Sequence, residues 1–271
     1  MATATATAAK RLQLDGVDLE YFEAGRGPTL LVLHGFLEMP GWYDFHHRLA
    51  QRFHVVAPSH PGFGGSSRPE WMTSLDDLAN FYLDLIDRLG AGKTHVVGHS
   101  FGGWVAAEMA VRCSHGLGKL VLADAVGLPA PGGPVRPAGG SIADWLVLEP
   151  EDLRALAWHD PATGDRLKLA GEDVTSEEEL IAILKNREAA TLYGWKPFFH
   201  SPRLAHWLHR ASVPALVIWG EHDGVVPRAI GEAYAHGIGG ARLEIVPGAA
   251  HLPHLEQPDE FARLVADFLA E

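Results

Sequence analysis

Only one cysteine, Cys113, occurs in the 271 residues, so no intramolecular disulfide can form. That fits a reducing compartment without requiring one. Cys113 ends a helical pattern and is expected to be a small core residue rather than a reactive thiol. Basic charge is also scarce: 22 Lys and Arg face 34 Asp and Glu, giving a formal net charge of −12. A chain so poor in basic surface argues against nucleic acid or an anionic membrane as a partner. No apolar run approaches the roughly 20 residues that span a bilayer. Residues 1–9 alternate Ala and Thr, without a basic start or a leucine-rich stretch. They read as no signal peptide, residues 1–10 are expected to be a frayed tail, and the default location is the cytoplasm. Sixteen histidines invite a metal reading, yet no H-E-x-x-H or comparable spacing is present. The expectation is no cofactor and no metal.

What is present is an ordinary globular composition, 47% hydrophobic and 21% charged, long enough for one core with an inserted subdomain. Apolar alternation on both sides of Asp15-Gly16 predicts a hairpin. Thr29 to Leu33 is a continuous apolar run of the kind buried on both faces of a parallel sheet. Further strands are expected at 55–57, 94–97, 120–123, 215–219 and 243–246, with helices at 75–89, 101–113, 228–236 and from Pro258 onward. After Asp124 the pattern changes. Residues 127–140 are dense in Gly and Pro, and 141–211 offer helical pieces only, one opened by a capping box over Thr175 to Glu178. The fold class is α/β: a mostly parallel central sheet from 11–126 and 212–271, with a helical cap inserted at 127–211. No internal repeat is found.

The most informative stretch is Val96-Val97-Gly98-His99-Ser100-Phe101-Gly102-Gly103. A G-x-S-x-G set between a strand and a helix forms a nucleophile elbow, whose serine occupies a strained turn. Small residues must flank it two positions away on each side, and Gly98 and Gly102 do so. The next N–H, at a helix N-terminus, points toward developing negative charge. A serine hydroxyl needs a base, and the base an orienting acid. The ends of later strands open on the same sheet edge. The strand at 215–219 ends in Gly220-Glu221-His222-Asp223, and the one at 243–246 is followed by Gly248-Ala249-Ala250-His251-Leu252-Pro253-His254.

With His34-Gly35-Phe36 added, these motifs resemble the α/β-hydrolase fold superfamily over residues 12–270, as a serine esterase-like member with a helical cap. The resemblance implies Ser100 as nucleophile, His251 as base and Asp223 as orienting acid, with the N–H groups of Phe36 and Phe101 as oxyanion hole. Ser59 departs from the aspartate found there in many relatives, which touches loop rigidity. His254 competes as base and Asp124, at another strand end, as acid. His34 and His99 are read as structural hydrogen-bonders at the pocket rim. Trp145, Leu146, Trp195, Phe199 and Leu252 are expected to line an apolar pocket. The implied activity is that of a carboxylesterase on small to medium apolar esters, in a monomer or homodimer. A C–C bond hydrolase of the meta-cleavage-product type would use the same triad, although such enzymes often follow the histidine with tryptophan where this chain has Leu252. A non-catalytic ligand-binding relative is the remaining alternative.

Overall fold

The computed structural model describes residues 7–90, 92–130, 142–145, 147–167, 169, 174–195 and 197–271. The chain opens with the expected hairpin. Strands β1 (Lys10–Leu14) and β2 (Val17–Ala24) pair antiparallel around Asp15 and Gly16, whose φ values of 50° and 79° are those of a two-residue hairpin turn. The strand thus reaches Lys10, which the sequence places in the tail.

Strand β3 (Thr29–Leu33) is buried at every position, as its unbroken apolar run requires. Helix α1 (Asp44–Leu49) leads into β4 (His54–Pro58), and α2 (Leu75–Leu89) into β5 (Thr94–His99). Ser74 caps α2, accepting from the Asp77 N–H at 3.2 Å while Asp77 accepts from the Ser74 N–H at 3.0 Å. Helix α3 (Phe101–Arg112) is buried from Phe101 to Val111 and packs beneath the sheet centre, between β5 and β6 (Leu117–Ala123). Among the described residues after β6 come four α-helices, α4 (Pro150–Ala157), α5 (Pro161–Leu167), α6 (Glu177–Gly194) and α7 (Leu204–Trp207). The core then resumes with β7 (Ala215–Gly220), α8 (Arg228–Gly237), β8 (Arg242–Val246), α9 (Pro253–Glu256) and α10 (Pro258–Ala270).

The eight strands form one sheet in the order β1-β2-β4-β3-β5-β6-β7-β8. Only the β1–β2 and β2–β4 pairs are antiparallel; the rest run parallel. All the parallel strands therefore open their C-terminal ends on one edge, and the central ones are covered on both faces. Among the described residues no helix is long and apolar enough to cross a membrane.

Two local expectations fail. Cys113 is exposed, because α3 stops at Arg112 and the next residue turns outward as its C-cap. The cap of α6 lies one residue later than the sequence suggests: the Ser176 hydroxyl accepts from Glu179 N–H at 3.1 Å, and Thr175 donates back to Glu179. Of the apolar residues that follow, Ile183 is buried, whereas Leu180, Ile181 and Leu184 face outward.

Candidate active site

Ser100 stands between β5 and α3 with φ 48° and ψ −111°, a backbone state that L residues rarely adopt. The surroundings over-determine it. Its N–H donates to the Ala123 carbonyl at 2.8 Å, and its carbonyl accepts from Trp104 and Val126, each at 3.2 Å. The glycines are needed for contact. A Cβ at Gly98 would strike the Gly102 carbonyl, and one at Gly102 the Leu33 and His34 carbonyls.

The ends of β7 and β8 bring the other two residues to this turn. His251 Nε2 lies 2.9 Å from Ser100 Oγ, and His251 Nδ1 lies 3.0 Å from Asp223 Oδ2. A carboxylate only accepts, so Nδ1 carries the hydrogen and the bare Nε2 accepts from the serine hydroxyl. The other oxygen of Asp223 is occupied by the N–H groups of Val225 and Val226, at 2.8 and 2.9 Å. His251 is fully buried, and α4 holds its backbone through a bond from His251 N–H to the Ala157 carbonyl at 3.2 Å. Glu256 joins the same loop to the insertion, accepting from Ala250 N–H with one oxygen and from His159 and Asp160 N–H with the other.

The rivals are placed elsewhere. His254 is buried with its Nε2 3.7 Å from Glu38, and bonds to neither Ser100 nor Asp223. Asp124 is nearer, at the end of β6 with φ 44°, accepting from Gly220 N–H at 2.8 Å. Burial and the neighbouring Asp223 charge push its pKa well above the usual carboxylate range, which favours the protonated form.

Phe101 directly follows the serine and Phe36 lies in the turn after β3; neither N–H bonds to another described backbone group. Of the expected pocket residues, Trp145 packs on Phe36 with ring centroids 3.9 Å apart. Phe199, buried and strained at φ 48°, lies 6.2 Å from Phe101 and 6.3 Å from Phe36. Leu252 is fully buried beside His251. Trp195 is not brought into this group: it is 51% exposed, and Phe198, at 6.1 Å, is its ring neighbour. Leu146 lies outside the described residues.

Beneath the triad is a layer the sequence reading missed. Glu38 accepts from Gly35 N–H at 2.7 Å and sits 3.2 Å from His99 Nδ1, while His99 Nε2 donates to the His251 carbonyl at 2.7 Å. His99 is therefore buried under the site rather than placed at its rim, whereas His34 is only partly buried. His34 accepts from His60 N–H at 3.0 Å. The available signal was one charged residue, Glu38, within the apolar run Phe36-Leu37-Glu38-Met39. Among the described residues two groups have ligand atoms within 4.8 Å of one another, Glu38 with His99 and His254, and Asp124 with Asp223 and His251. Both are already committed, in whole or part, to hydrogen bonds among themselves.

Burial sets the acid limit of this layer. It lowers the pKa of both His34 and His254 from 6.5 to about 4, so the folded state holds them neutral. Their stabilisation is present above pH 6.5, where the unfolded ring is also neutral, and is lost as pH falls toward 4. Linkage makes this on the order of 3 kcal/mol for each ring. The melting temperature should therefore fall by on the order of 10 °C between pH 6.5 and 4, read by circular dichroism. A flat profile across that window would contradict the neutral buried rings.

The comparisons with known proteins agree with this architecture. The model of the alpha/beta hydrolase family matches residues 30–264. The chain belongs to that family. It is 30% identical over 272 residues to a 2-hydroxy-6-oxo-6-phenylhexa-2,4-dienoate hydrolase of Comamonas testosteroni, covering 93% of this chain and 91% of the relative. A solved membrane phospholipase A superposes with a TM-score of 0.78 at 24% identity, over 98% of this chain and 86% of the other. A thermophilic esterase from Thermogutta terrifontis gives 0.72 at 22% identity, with 98% of each chain covered. At those identities the two structures speak to the fold alone. Esterases and C–C bond hydrolases thus both stand among this hydrolase's neighbours.

Proposed function

We propose that the protein is a serine carboxylesterase acting on small to medium apolar esters through an acyl-enzyme on Ser100. The observation that carries this reading is the unbroken hydrogen-bonded chain from Ser100 Oγ through His251 to Asp223, at 2.9 and 3.0 Å. His251 Nε2 takes the hydroxyl proton as Oγ attacks the ester carbonyl. Asp223 holds the ring in the required tautomer and stabilises the imidazolium. The N–H groups of Phe36 and Phe101 receive the oxyanion, and His251 returns the proton to the leaving alcohol. Water, activated by the same ring, then hydrolyses the acyl-enzyme.

The described helices α4 to α7 of the insertion serve in this reading as an apolar cover. Phe36, Trp145, Phe198, Phe199 and Leu252 supply surface for acyl or alkoxy groups. Such a wall binds substrate and transition state alike, at about 0.8 kcal/mol per buried methylene. On p-nitrophenyl esters of increasing acyl length, kcat/KM should rise about two- to fourfold per CH₂ until the pocket is full.

A second reading is favoured by the dienoate hydrolase of Comamonas testosteroni. A C–C hydrolase must bring a dienol to its keto form before cleavage, which calls for polar groups over the acidic end of the substrate. The rings packed together at Phe36, Trp145 and Phe199 are apolar, and Leu252 adds apolar surface beside the base. Little turnover is expected on a meta-cleavage-type dienoate. Faster cleavage of that dienoate than of every ester tested would transfer the assignment to the C–C hydrolase.

A further inference from the structure

Three loops meet at the proposed site: the turn after β3 that carries Phe36, the elbow, and the base loop. One buried side chain set joins all three. Glu38 Oε1 accepts the Gly35 N–H at 2.7 Å and faces His99 Nδ1 at 3.2 Å, and His99 Nε2 reaches the His251 carbonyl at 2.7 Å. Glu38 and His99 are 4% exposed, so water cannot complete their bonding. The donor count decides the protonation. A carbonyl oxygen only accepts, so Nε2 must carry hydrogen. Glu38 Oε1 already takes an N–H and behaves as an acceptor, so Nδ1 must carry hydrogen too.

The other groups facing this ring do not offer an alternative home for the charge. His254, from α9, is tilted against His99 with ring centroids 4.1 Å apart, and its Nδ1 is buried without a partner. Its pKa is depressed to about 4 by burial and by His99, so it stays neutral. His34 from the end of β3 and His46 from α1 are likewise held neutral by burial. His251 uses its nitrogens on Ser100 and Asp223. Glu38 is the one carboxylate in the cluster. Burial alone would raise its pKa, but the neighbouring His99 ring, and then His254 with its Nε2 3.7 Å away, bring it well below the ordinary value.

We propose that Glu38 and His99 form a buried carboxylate–imidazolium pair that ties the Gly35–Phe36 turn and the His251 loop to the elbow carrying Ser100. Both are positioning residues; neither touches the reacting atoms. The kinetic part of this inference rests on the esterase reading, and the protonation part does not. Glu38→Gln keeps the size and an acceptor for Gly35 N–H but removes the charge that holds the second proton on His99.

The experiment is ring nitrogen and proton NMR on ¹⁵N-histidine-labelled protein at pH 7, with His99 assigned by His99→Gln. His99 should show hydrogens on both nitrogens in the wild type and on one in Glu38→Gln. A wild-type His99 with a single ring hydrogen overturns the pair, whether or not any ester is turned over. Glu38→Gln should also lower kcat on the best ester about tenfold with KM changed less than about twofold, as misplacement of a catalytic loop does. Unchanged kcat in a folded Glu38→Gln overturns the positioning role. Should Glu38→Gln fail to fold, the wild-type spectrum and the kinetics of His99→Gln decide the two points in the same way.

Discussion

Replacing Ser100 by alanine should leave a folded protein whose kcat on its best ester is lower by on the order of a million-fold. The fold should survive because the elbow does not depend on the hydroxyl. Its strain is held by the Ser100 N–H to Ala123 and by the carbonyl bonds from Trp104 and Val126, all of them backbone. Alanine keeps every one, and like serine it must accept φ near 48° at some cost. What it loses is the atom 2.9 Å from His251 Nε2. The imidazole then has no oxygen to activate except that of a chance water, and no acyl-enzyme can form. If the Phe36 and Phe101 N–H groups form the proposed oxyanion hole, a background above the uncatalysed rate should remain. The measurement pairs single-turnover kinetics with a fluorophosphonate probe and peptide mapping. Labelling of the wild type at any residue other than Ser100, or a labelled Ser100→Ala, would remove the serine from its place in the mechanism.

The elbow was legible because its constraints are local. An apolar strand, two obligatory glycines, a serine and a helix follow one another within residues 94–112, and each demands the next. Asp223 and His251 were legible for a different reason: a parallel sheet delivers its strand ends to one edge, so finding the strands finds the edge. Glu38 offered neither handle. It sits in an aperiodic turn, and its partner His99 lies 61 residues along the chain. The bond from His99 to the His251 carbonyl spans 152. A pairing of that kind is created by packing and has no spacing to read. Two smaller errors arose at helix ends, where one residue reverses exposure. Cys113 continues the apolar pattern of α3 but falls just past its last turn. Ser176 displaces Thr175 as the cap of α6, since either residue has a hydroxyl and a glutamate three positions on. Trp195 shows the limit of composition: the ring belongs to the insertion as expected, yet it faces outward.

Changing Asp223 to asparagine should cost about four orders of magnitude in kcat, and the same change at Asp124 less than about threefold. The two carboxyls are close, with ligand atoms of both and of His251 within 4.8 Å, so proximity does not separate them. Hydrogen-bond direction does. Asp223 Oδ1 is filled by two backbone N–H groups, which leaves Oδ2 for His251 Nδ1 at 3.0 Å. In Asp223→Asn the amide oxygen would remain with Val225 and Val226, and the NH₂ would face the ring. Donor then meets donor, so the imidazole moves its hydrogen to Nε2, and the nitrogen facing Ser100 can no longer take a proton. Asp124 stands differently. Its Oδ1 accepts from Gly220 N–H at 2.8 Å, and burial beside Asp223 favours its protonated form. An asparagine there retains the acceptor for Gly220 and supplies a neutral donor in place of the acid hydroxyl. Its geometry and charge both match what they replace. Rates for the two single variants and their double, measured on one ester, give the ranking directly. A large loss in Asp124→Asn with a mild one in Asp223→Asn would move the orienting acid from the end of β7 to the end of β6.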